Sequence, residues 1–102
     1  NGLLRSSELE SNEFNLLNLY PNPSSGTVNV EYYLPYNMDV VNVKIYDIQG
    51  RLVWTQELES TSGNIKNQLQ LDSLRLGNYI LSMNAYKDGI LKHISHKRLI
   101  LK

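Results

Sequence analysis

The sequence predicts an all-β domain, an immunoglobulin-like antiparallel sandwich of about seven strands. Apolar and polar residues alternate in short segments, and Gly, Pro and Asp separate one segment from the next. About seven such segments in roughly 85 residues is the density typical of an immunoglobulin-like sandwich. The chain has 102 residues, which suits one domain with one core.

The alternation places the strands in order along the chain. In "TVNVEYYL" the residues Val28, Val30 and Tyr32 share one face, and in "QLQLD" Leu69 and Leu71 do the same. Residues 1–14 are polar and acidic without a period, so they are expected to form a flexible linker, with the domain covering residues 15–102. The predicted strands are Leu16–Tyr20, Thr27–Leu34, Val41–Asp47, Leu52–Leu58, Gln68–Asp72, Asn78–Tyr86 and Ile90–Leu101.

Two hairpin turns carry specific signals. In "DIQGR" Asp47 suits the first position of a type I turn and Gly50 the left-handed position of a three-residue loop. The resulting register pairs Tyr46 with Leu52, Ile45 with Val53 and Lys44 with Trp54. It places Ile45 and Val53 on the buried face and a Lys44–Trp54 cation–π pair on the exposed one.

The second turn, Asp88-Gly89, indicates a type I′ hairpin, because both central residues need a positive φ. Its register pairs Met83 with Ile94 and Ala85 with Lys92, and the inner face of the first strand runs through Tyr79, Leu81, Met83 and Ala85. Leu99 and Leu101 have the opposite parity to Ile90 and Ile94. Either a bulge near His96 and Lys97 corrects this difference, or the last residues turn their apolar side elsewhere.

Several kinds of chemistry find no support in the residues. The chain has no cysteine and a formal net charge of zero, which argues against thiolate sites and against long-range attraction to nucleic acid. His93 and His96 are three apart, which in a strand sets them on opposite faces, so neither a metal site nor a cofactor is expected. No catalytic triad or carboxylate dyad is suggested, and the domain is expected not to be an enzyme. No apolar run approaches the ~20 residues of a membrane span, and the first residues lack the apolar segment of a signal peptide.

The aromatic residues allow a second interpretation. Tyr33, Tyr36, Tyr46 and Trp54 would form a sugar-stacking platform if they shared one sheet face. Aromatic residues are also common in strands for packing reasons alone. The basic end, "HKRLILK", lacks the aromatic stacking motif of a nucleic-acid module, and its lysines suit an edge strand that avoids aggregation.

Four segments together resemble a known family. "LYPNPSSGTVNVEY", "VKIYDIQGRLV", "LDSLRLGNYILSM" and "HKRLILK" occur in the order and spacing of the type A C-terminal sorting domain of the type IX (Por) secretion system of Bacteroidetes. The resemblance extends from about Leu17 to Lys102. Leu101 departs from it, because the family often has another lysine there. The residues that match the motifs are Tyr20, Pro21, Asn22 and Pro23; Ile45, Tyr46, Asp47, Gly50, Arg51 and Val53; Leu74, Gly77, Tyr79 and Ile80; and Lys97, Arg98, Leu99, Ile100 and Lys102.

The resemblance implies an address label for export. A cargo domain would precede this one, enter the periplasm through a separate signal, and be recognised by the outer-membrane translocon of the type IX system. A sortase-like peptidase would remove the domain, with the cut expected within residues 1–14, and the cargo would reach the cell surface or the medium. Recognition is expected at Lys97, Arg98, Leu99, Ile100, Leu101 and Lys102, with the other motifs as scaffold and weak self-association possible through edge strands.

Two expectations about this tail follow. An exposed edge with basic and aliphatic side chains would be captured by strand addition, and deletion of the last residues would abolish export while leaving the fold largely intact. The alternative function is an accessory carbohydrate-binding or adhesion sandwich attached to a secreted enzyme.

Overall fold

The structure, a computed structural model, describes residues 18–102, which form seven strands in two antiparallel sheets. The strands are β1 (Asn18–Tyr20), β2 (Thr27–Leu34), β3 (Val40–Asp47), β4 (Leu52–Leu58), β5 (Gly63–Gln70), β6 (Gly77–Lys87) and β7 (Ile90–Leu101). One sheet has the order β1-β2-β5 and the other β4-β3-β6-β7. The predicted all-β sandwich is confirmed. No helix in the described part of the chain has the length and apolar character needed to span a bilayer.

The core lies between the two sheets, where strand alternation places the apolar side chains. Val28, Val30 and Tyr32 of β2 are buried as predicted, and so are Leu69 and Leu71 around the end of β5. The inner face of β6 is also as predicted, with Tyr79, Leu81, Met83 and Ala85 all buried. β5 begins at Gly63, five residues before the predicted start. The predicted first two residues of β1, Leu16 and Leu17, and the proposed linker of residues 1–14 lie outside the described residues.

The β3–β4 hairpin has the predicted turn but not the predicted register. Gly50 has a φ of 86°, and its N–H donates to the Asp47 carbonyl (2.9 Å), which closes the three-residue loop. Tyr46 pairs with Leu52 as expected, but a bulge at Val53 pairs Ile45 with Trp54. Val53 is therefore exposed, and Trp54 packs against the core in its place. Lys44 lies opposite Thr55 rather than Trp54, so the predicted register for a cation–π pair is wrong.

The β6–β7 hairpin also has the predicted turn but not the predicted register. Asp88 and Gly89 have φ values of 55° and 75°, which confirms the type I′ turn. The predicted register beyond it is wrong, because a bulge at Lys92 pairs Ala85 with His93 and Met83 with Ser95. This bulge lies close to the turn and not near His96. It shifts the rest of the strand by one residue, so Leu99 and Leu101 turn inward and are buried. Ile94 lies on the opposite face of the strand and is exposed, as is Ile90 beside the turn.

Candidate functional site

The four sequence motifs meet at one end of the sandwich, which we call the motif end. Asp47, the last residue of β3, pairs with Tyr79 near the start of β6. Gly77, the first residue of β6, pairs with Leu101 at the end of β7. Ser24, in the loop between β1 and β2, forms an isolated parallel bridge with Leu101. The motif end thus consists of Tyr20–Gly26, Asp47–Arg51, Leu74–Ile80 and Lys97–Lys102.

The loop after β1 is hydrogen-bonded along the outer edge of β7, an arrangement that we call the edge clasp. The Asn22 side chain donates to the Arg98 carbonyl (2.8 Å) and accepts from the Ile100 N–H (3.0 Å). The Ser24 N–H donates to the Ile100 carbonyl (2.9 Å), and the Lys102 N–H donates to the Ser24 carbonyl (2.8 Å). These four bonds satisfy the outward-facing backbone groups of the last residues. The loop therefore ties the first sheet to the last strand of the second.

The clasp loop is itself tightly constrained. The Ser24 hydroxyl donates to the Thr27 carbonyl (2.7 Å) and accepts from the Gly26 N–H (3.0 Å). Gly26 has a φ of 143°, and a Cβ there would lie 2.4 Å from an Asp72 carboxylate oxygen. Pro21 and Pro23 both follow cis peptide bonds. The Ser24 hydrogen bonds hold this loop, and a side chain at Gly26 would have a strained φ and would displace the Asp72 carboxylate.

The tail is more buried than the sequence suggested. Leu99 and Leu101 are 0% and 2% exposed and belong to the core, whereas Lys97, Arg98 and Lys102 are exposed. The expectation that Lys97–Lys102 could be deleted without loss of the fold conflicts with this burial, because both leucines close the sandwich at this end. The expected capture by strand addition is also wrong for Arg98–Lys102, since the clasp already occupies that edge.

Burial also accounts for the departure at Leu101. A lysine at this position would place an ammonium in the core, which is costly without a paired charge. The side chain of Leu101 instead completes the apolar contact between the sheets, and the neighbouring Lys102 retains the positive charge at the surface. The leucine is therefore a packing residue in this chain.

The β3–β4 loop is stabilised by its own aspartate. One carboxylate oxygen of Asp47 accepts from the N–H groups of Gln49 (2.9 Å) and Arg51 (3.0 Å), and the other accepts from the Arg51 guanidinium (2.9 Å). The hydrogen bond from the Arg51 backbone N–H, followed by the other bonds of this network, lowers the pKa of the Asp47 carboxyl group below its ordinary value. Asp47 and Arg51 therefore fix the loop and neutralise each other.

Tyr79 fixes the adjacent loop, which connects β5 to β6. Its side chain is buried, and its hydroxyl donates to the Arg75 carbonyl four residues upstream (2.5 Å). This arrangement is similar to the tyrosine corner of immunoglobulin-like sandwiches. Leu74 packs against the core from the same loop, while the side chains of Arg75 and Leu76 project outward and are exposed. Tyr20, at the end of β1, uses its hydroxyl to donate to the Glu31 carboxylate across the β1–β2 pair.

A shallow groove runs over these two loops and onto β6 and β7. Ile48 and Leu76 line one part of it, of about 370 Å³, and Ile48 with Ile80 and Arg98 line an adjoining part of about 470 Å³. Tyr79 contributes to both parts. We call this surface, centred on Ile48, Arg75, Leu76, Ile80 and Arg98, the motif groove.

The structure does not bring the other candidate residues together. His93 pairs with Ala85 and His96 with Ser82, which places the two imidazoles on opposite faces of β7. Burial lowers the pKa of His93, whose Nε2 lies 2.5 Å from the Ser95 hydroxyl. No group of three potential metal ligands occurs within residues 18–102.

The four aromatic rings of the sugar-stacking hypothesis are distributed over different surfaces. Tyr33 lies on the outer face of the first sheet and Tyr46 on the outer face of the second. Trp54 packs against the core, and Tyr36 lies in the loop between β2 and β3, beneath the Lys87 ammonium. These positions do not form one platform.

Three contributors to the motif end were not identified from the sequence. Ser24 is buried within the clasp, although its residue type and loop position gave no indication of this. Ile48 and Leu76 are large apolar residues within turn segments that contain glycine, and this unusual placement is the signal that could have identified them.

A known protein family matches three of the four motifs in full and the first two residues of the fourth, His96 and Lys97. No curated protein matches the chain. Residues 18–97 match the family of secretion system C-terminal sorting domains, which covers β1 to β6 and most of β7. Members of this family are sorting signals and not catalytic domains, and they interact with the secretion machinery. The chain belongs to the type IX secretion system C-terminal sorting domains, which direct the export of a preceding cargo across the outer membrane.

Proposed function

We propose that the translocon recognises this domain in its folded state through the charged surface of its last strand. The observation that carries the proposal is the edge clasp, which ties the motif-bearing loop of residues 20–26 to the backbone of residues 98–102. The family motifs thus hold the terminal strand in one conformation. A strand presented in this way loses little conformational entropy when a partner binds it.

Within the predicted recognition segment, two roles separate by burial. Leu99 and Leu101 hold the strand to the core, and Ile100 is half-buried beside the clasp. Lys97, Arg98 and Lys102 are exposed and supply three positive charges to a partner. Complementary charge at an interface promotes association and specificity. Recognition therefore depends on the three cations, and the leucines act by keeping them in place.

The remaining steps follow the family's mode of export. The cargo precedes the domain and passes through the periplasm, and a sortase-like peptidase cuts within residues 1–14 during export. That segment has three glutamates, one arginine and no apolar periodicity. Segments of such composition are accessible to peptidases. The cargo is then displayed on the cell surface or released.

Export of a periplasm-directed fluorescent reporter fused to residues 1–102 tests the proposal in a Bacteroidetes host. Replacing Lys97, Arg98 and Lys102 together by Gln keeps side chains of polar character at exposed positions, so the melting temperature is expected to stay close to that of the wild type. The reporter is expected to remain in the periplasm. The matched control, Lys92→Gln in the exposed bulge of the same strand, is expected to export normally.

The deletion of Lys97–Lys102 serves as a comparison in the same host. It is expected to abolish export and also to destabilise the domain, because it removes Leu99 and Leu101. Normal export of the triple Gln variant would refute recognition through the three cations. Failure of the wild-type fusion to leave the periplasm, or its export without a type IX translocon, would refute the sorting function itself.

A further inference from the structure

Three large apolar side chains are exposed together in the motif groove. Ile48, Leu76 and Ile80 are 80%, 67% and 40% exposed, and they come from three different segments of the chain. Single exposed apolar residues are common, but several lining one concave surface are typical of an interaction site. None of the three contributes to the core of the sandwich. Their exposure therefore needs an explanation other than folding.

The charges around these side chains are unbalanced. Arg51, Arg75 and Arg98 line the groove and its margin, together with one acidic residue, Asp47. Asp47 already pairs with Arg51, and this is the sole ion pair within residues 18–102. Arg75 and Arg98 thus leave the groove with a positive charge that no described carboxylate balances. A partner surface with carboxylates would be complementary to it.

The groove is also well ordered by its supporting bonds. The Asp47 network holds the loop that carries Ile48, and the Tyr79 hydroxyl holds the carbonyl of Arg75. The Asn22 side chain accepts and donates on either side of Leu99, which positions the strand that carries Arg98. A surface arranged in advance in this way gains affinity, because fewer side chains and loops must be ordered on binding.

We propose that the motif groove docks a segment of the export machinery in which carboxylates stand beside apolar side chains. The apolar part covers Ile48, Leu76 and Ile80, and the carboxylates pair with Arg75 and Arg98. This inference rests on the proposed sorting function. It adds an apolar contact surface and Arg75 to the three cations of the last strand, one of which, Arg98, also lines the groove. A second copy of this chain is a poorer occupant, since a twofold pairing of the groove would set arginines against arginines.

The export reporter tests the apolar part of the groove. Ile48→Ser combined with Leu76→Ser changes two exposed residues, so the melting temperature of the domain is expected to be retained. Export is expected to fall roughly tenfold or more, as for the loss of interface anchors. The matched control is Ile90→Ser combined with Leu91→Ser, which are 57% and 45% exposed at the far end of the sandwich. This control is expected to export like the wild type.

The charged part of the groove is tested by Arg75→Glu, with Arg75→Lys as the conservative variant. The glutamate is expected to block export and the lysine to restore most of it. Lys92→Glu provides a matched charge reversal away from the groove and is expected to have no effect. If the Ile48→Ser and Leu76→Ser double variant and the Arg75→Glu variant were both exported at the wild-type level, the inference would be overturned and the sorting function would stand. A wild-type fusion that fails to export would overturn both.

A photoreactive amino acid in place of Ile48 identifies the occupant. Crosslinks that map to a segment of a translocon protein containing Asp or Glu beside apolar residues would support the proposal. Crosslinks solely to a second copy of the domain, or solely to lipid, would overturn it. The same photoreactive group at Ile90 is the control and is expected to give no crosslink to that segment.

Discussion

Hydrogen bonds close both ends of the sandwich, but at one end they join two loops and at the other they join a loop to the edge of a strand. At the end opposite the motif end, the Asp39 carboxylate accepts from the Asp88 N–H (2.6 Å), and the Asn37 side chain accepts from the Ser62 N–H (2.8 Å). These bonds join one loop to another. At the motif end, Asn22 and Ser24 bind the edge of a strand.

β7 runs from one end of the sandwich to the other, and its two halves differ in burial. Its first half carries the exposed Ile90 and Ile94, and its second half carries the buried Leu99 and Leu101. The family motifs thus lie where the last strand is anchored, and the opposite end closes the fold without them. The motif residues Asn22, Tyr79 and Leu99 therefore hold the terminal half of β7, Asn22 through hydrogen bonds and the other two through the core.

The largest expected effect comes from shortening the anchored leucines. Leu99→Ala and Leu101→Ala should each lower the free energy of unfolding by ~2–5 kcal/mol, because each leaves a cavity in the core. Ile90→Ala and Ile94→Ala, in the other half of the same strand, should change it by less than about 0.5 kcal/mol. Urea unfolding of the four variants measures the contrast. Similar losses in both halves would show that the terminal half is not specially anchored.

A smaller effect is expected from opening the clasp. Asn22→Ala removes two hydrogen bonds to the edge of β7 and should lower the free energy of unfolding by ~1–3 kcal/mol. The Ile100 amide should also exchange its hydrogen faster, which an NMR exchange experiment detects at that residue. Asn64→Ala, at an exposed position of β5, is the control. Unchanged protection of Ile100 would mean that Asn22 does not hold the edge.

A substitution at Gly50 in the β3–β4 turn is expected to have the next largest effect on stability. Gly50→Val should lower the free energy of unfolding by more than ~1 kcal/mol, because a β-branched residue is strained at a φ of 86°. No heavy atom outside the neighbouring residues lies within 4 Å of a Cβ added at Gly50, so the loss would come from backbone strain and not from a clash. Gly50→Asn should be milder, since asparagine tolerates the left-handed region. Thermal melting of the two variants and of the wild type measures these losses. A Gly50→Val variant that melts at the wild-type temperature would refute the turn assignment.

The smallest expected effect is the pH dependence of the stability that Asp47 contributes in the β3–β4 loop. The folded-state pKa of Asp47 is lowered by the Arg51 and Gln49 hydrogen bonds, so its stabilising effect is complete above the unfolded value of about 3.9. It is lost as the pH falls through the lowered folded value. Asp47→Asn should therefore be less stable than the wild type at neutral pH, and the difference should shrink in acid. A difference in melting temperature that stays constant down to pH 2 would contradict this.

The local features of the fold could be predicted from the sequence because they depend on neighbouring residues. The alternation in Thr27–Leu34 requires one buried face, and Asp88-Gly89 and Gly50 select turns through the φ values they tolerate. The four motifs also identified the family. The bulge at Val53 was not predicted, and the bulge considered near His96 and Lys97 lies instead at Lys92. The position of an extra residue in a strand depends on which side chains the opposite sheet accepts.

For the candidate site, the sequence determined the residue types and the order of the motifs, including the three cations near the end of the chain. The tertiary structure alone decided which of them meet. Asn22 binds Ile100 across 78 residues of sequence, and Ile48, Leu76 and Ile80 line adjoining parts of one groove. Such contacts depend on how the two sheets pack and on where the clasp loop crosses between them. Burial of Leu99 and Leu101 has the same origin, because the parity of the tail is set by a bulge seven residues before Leu99.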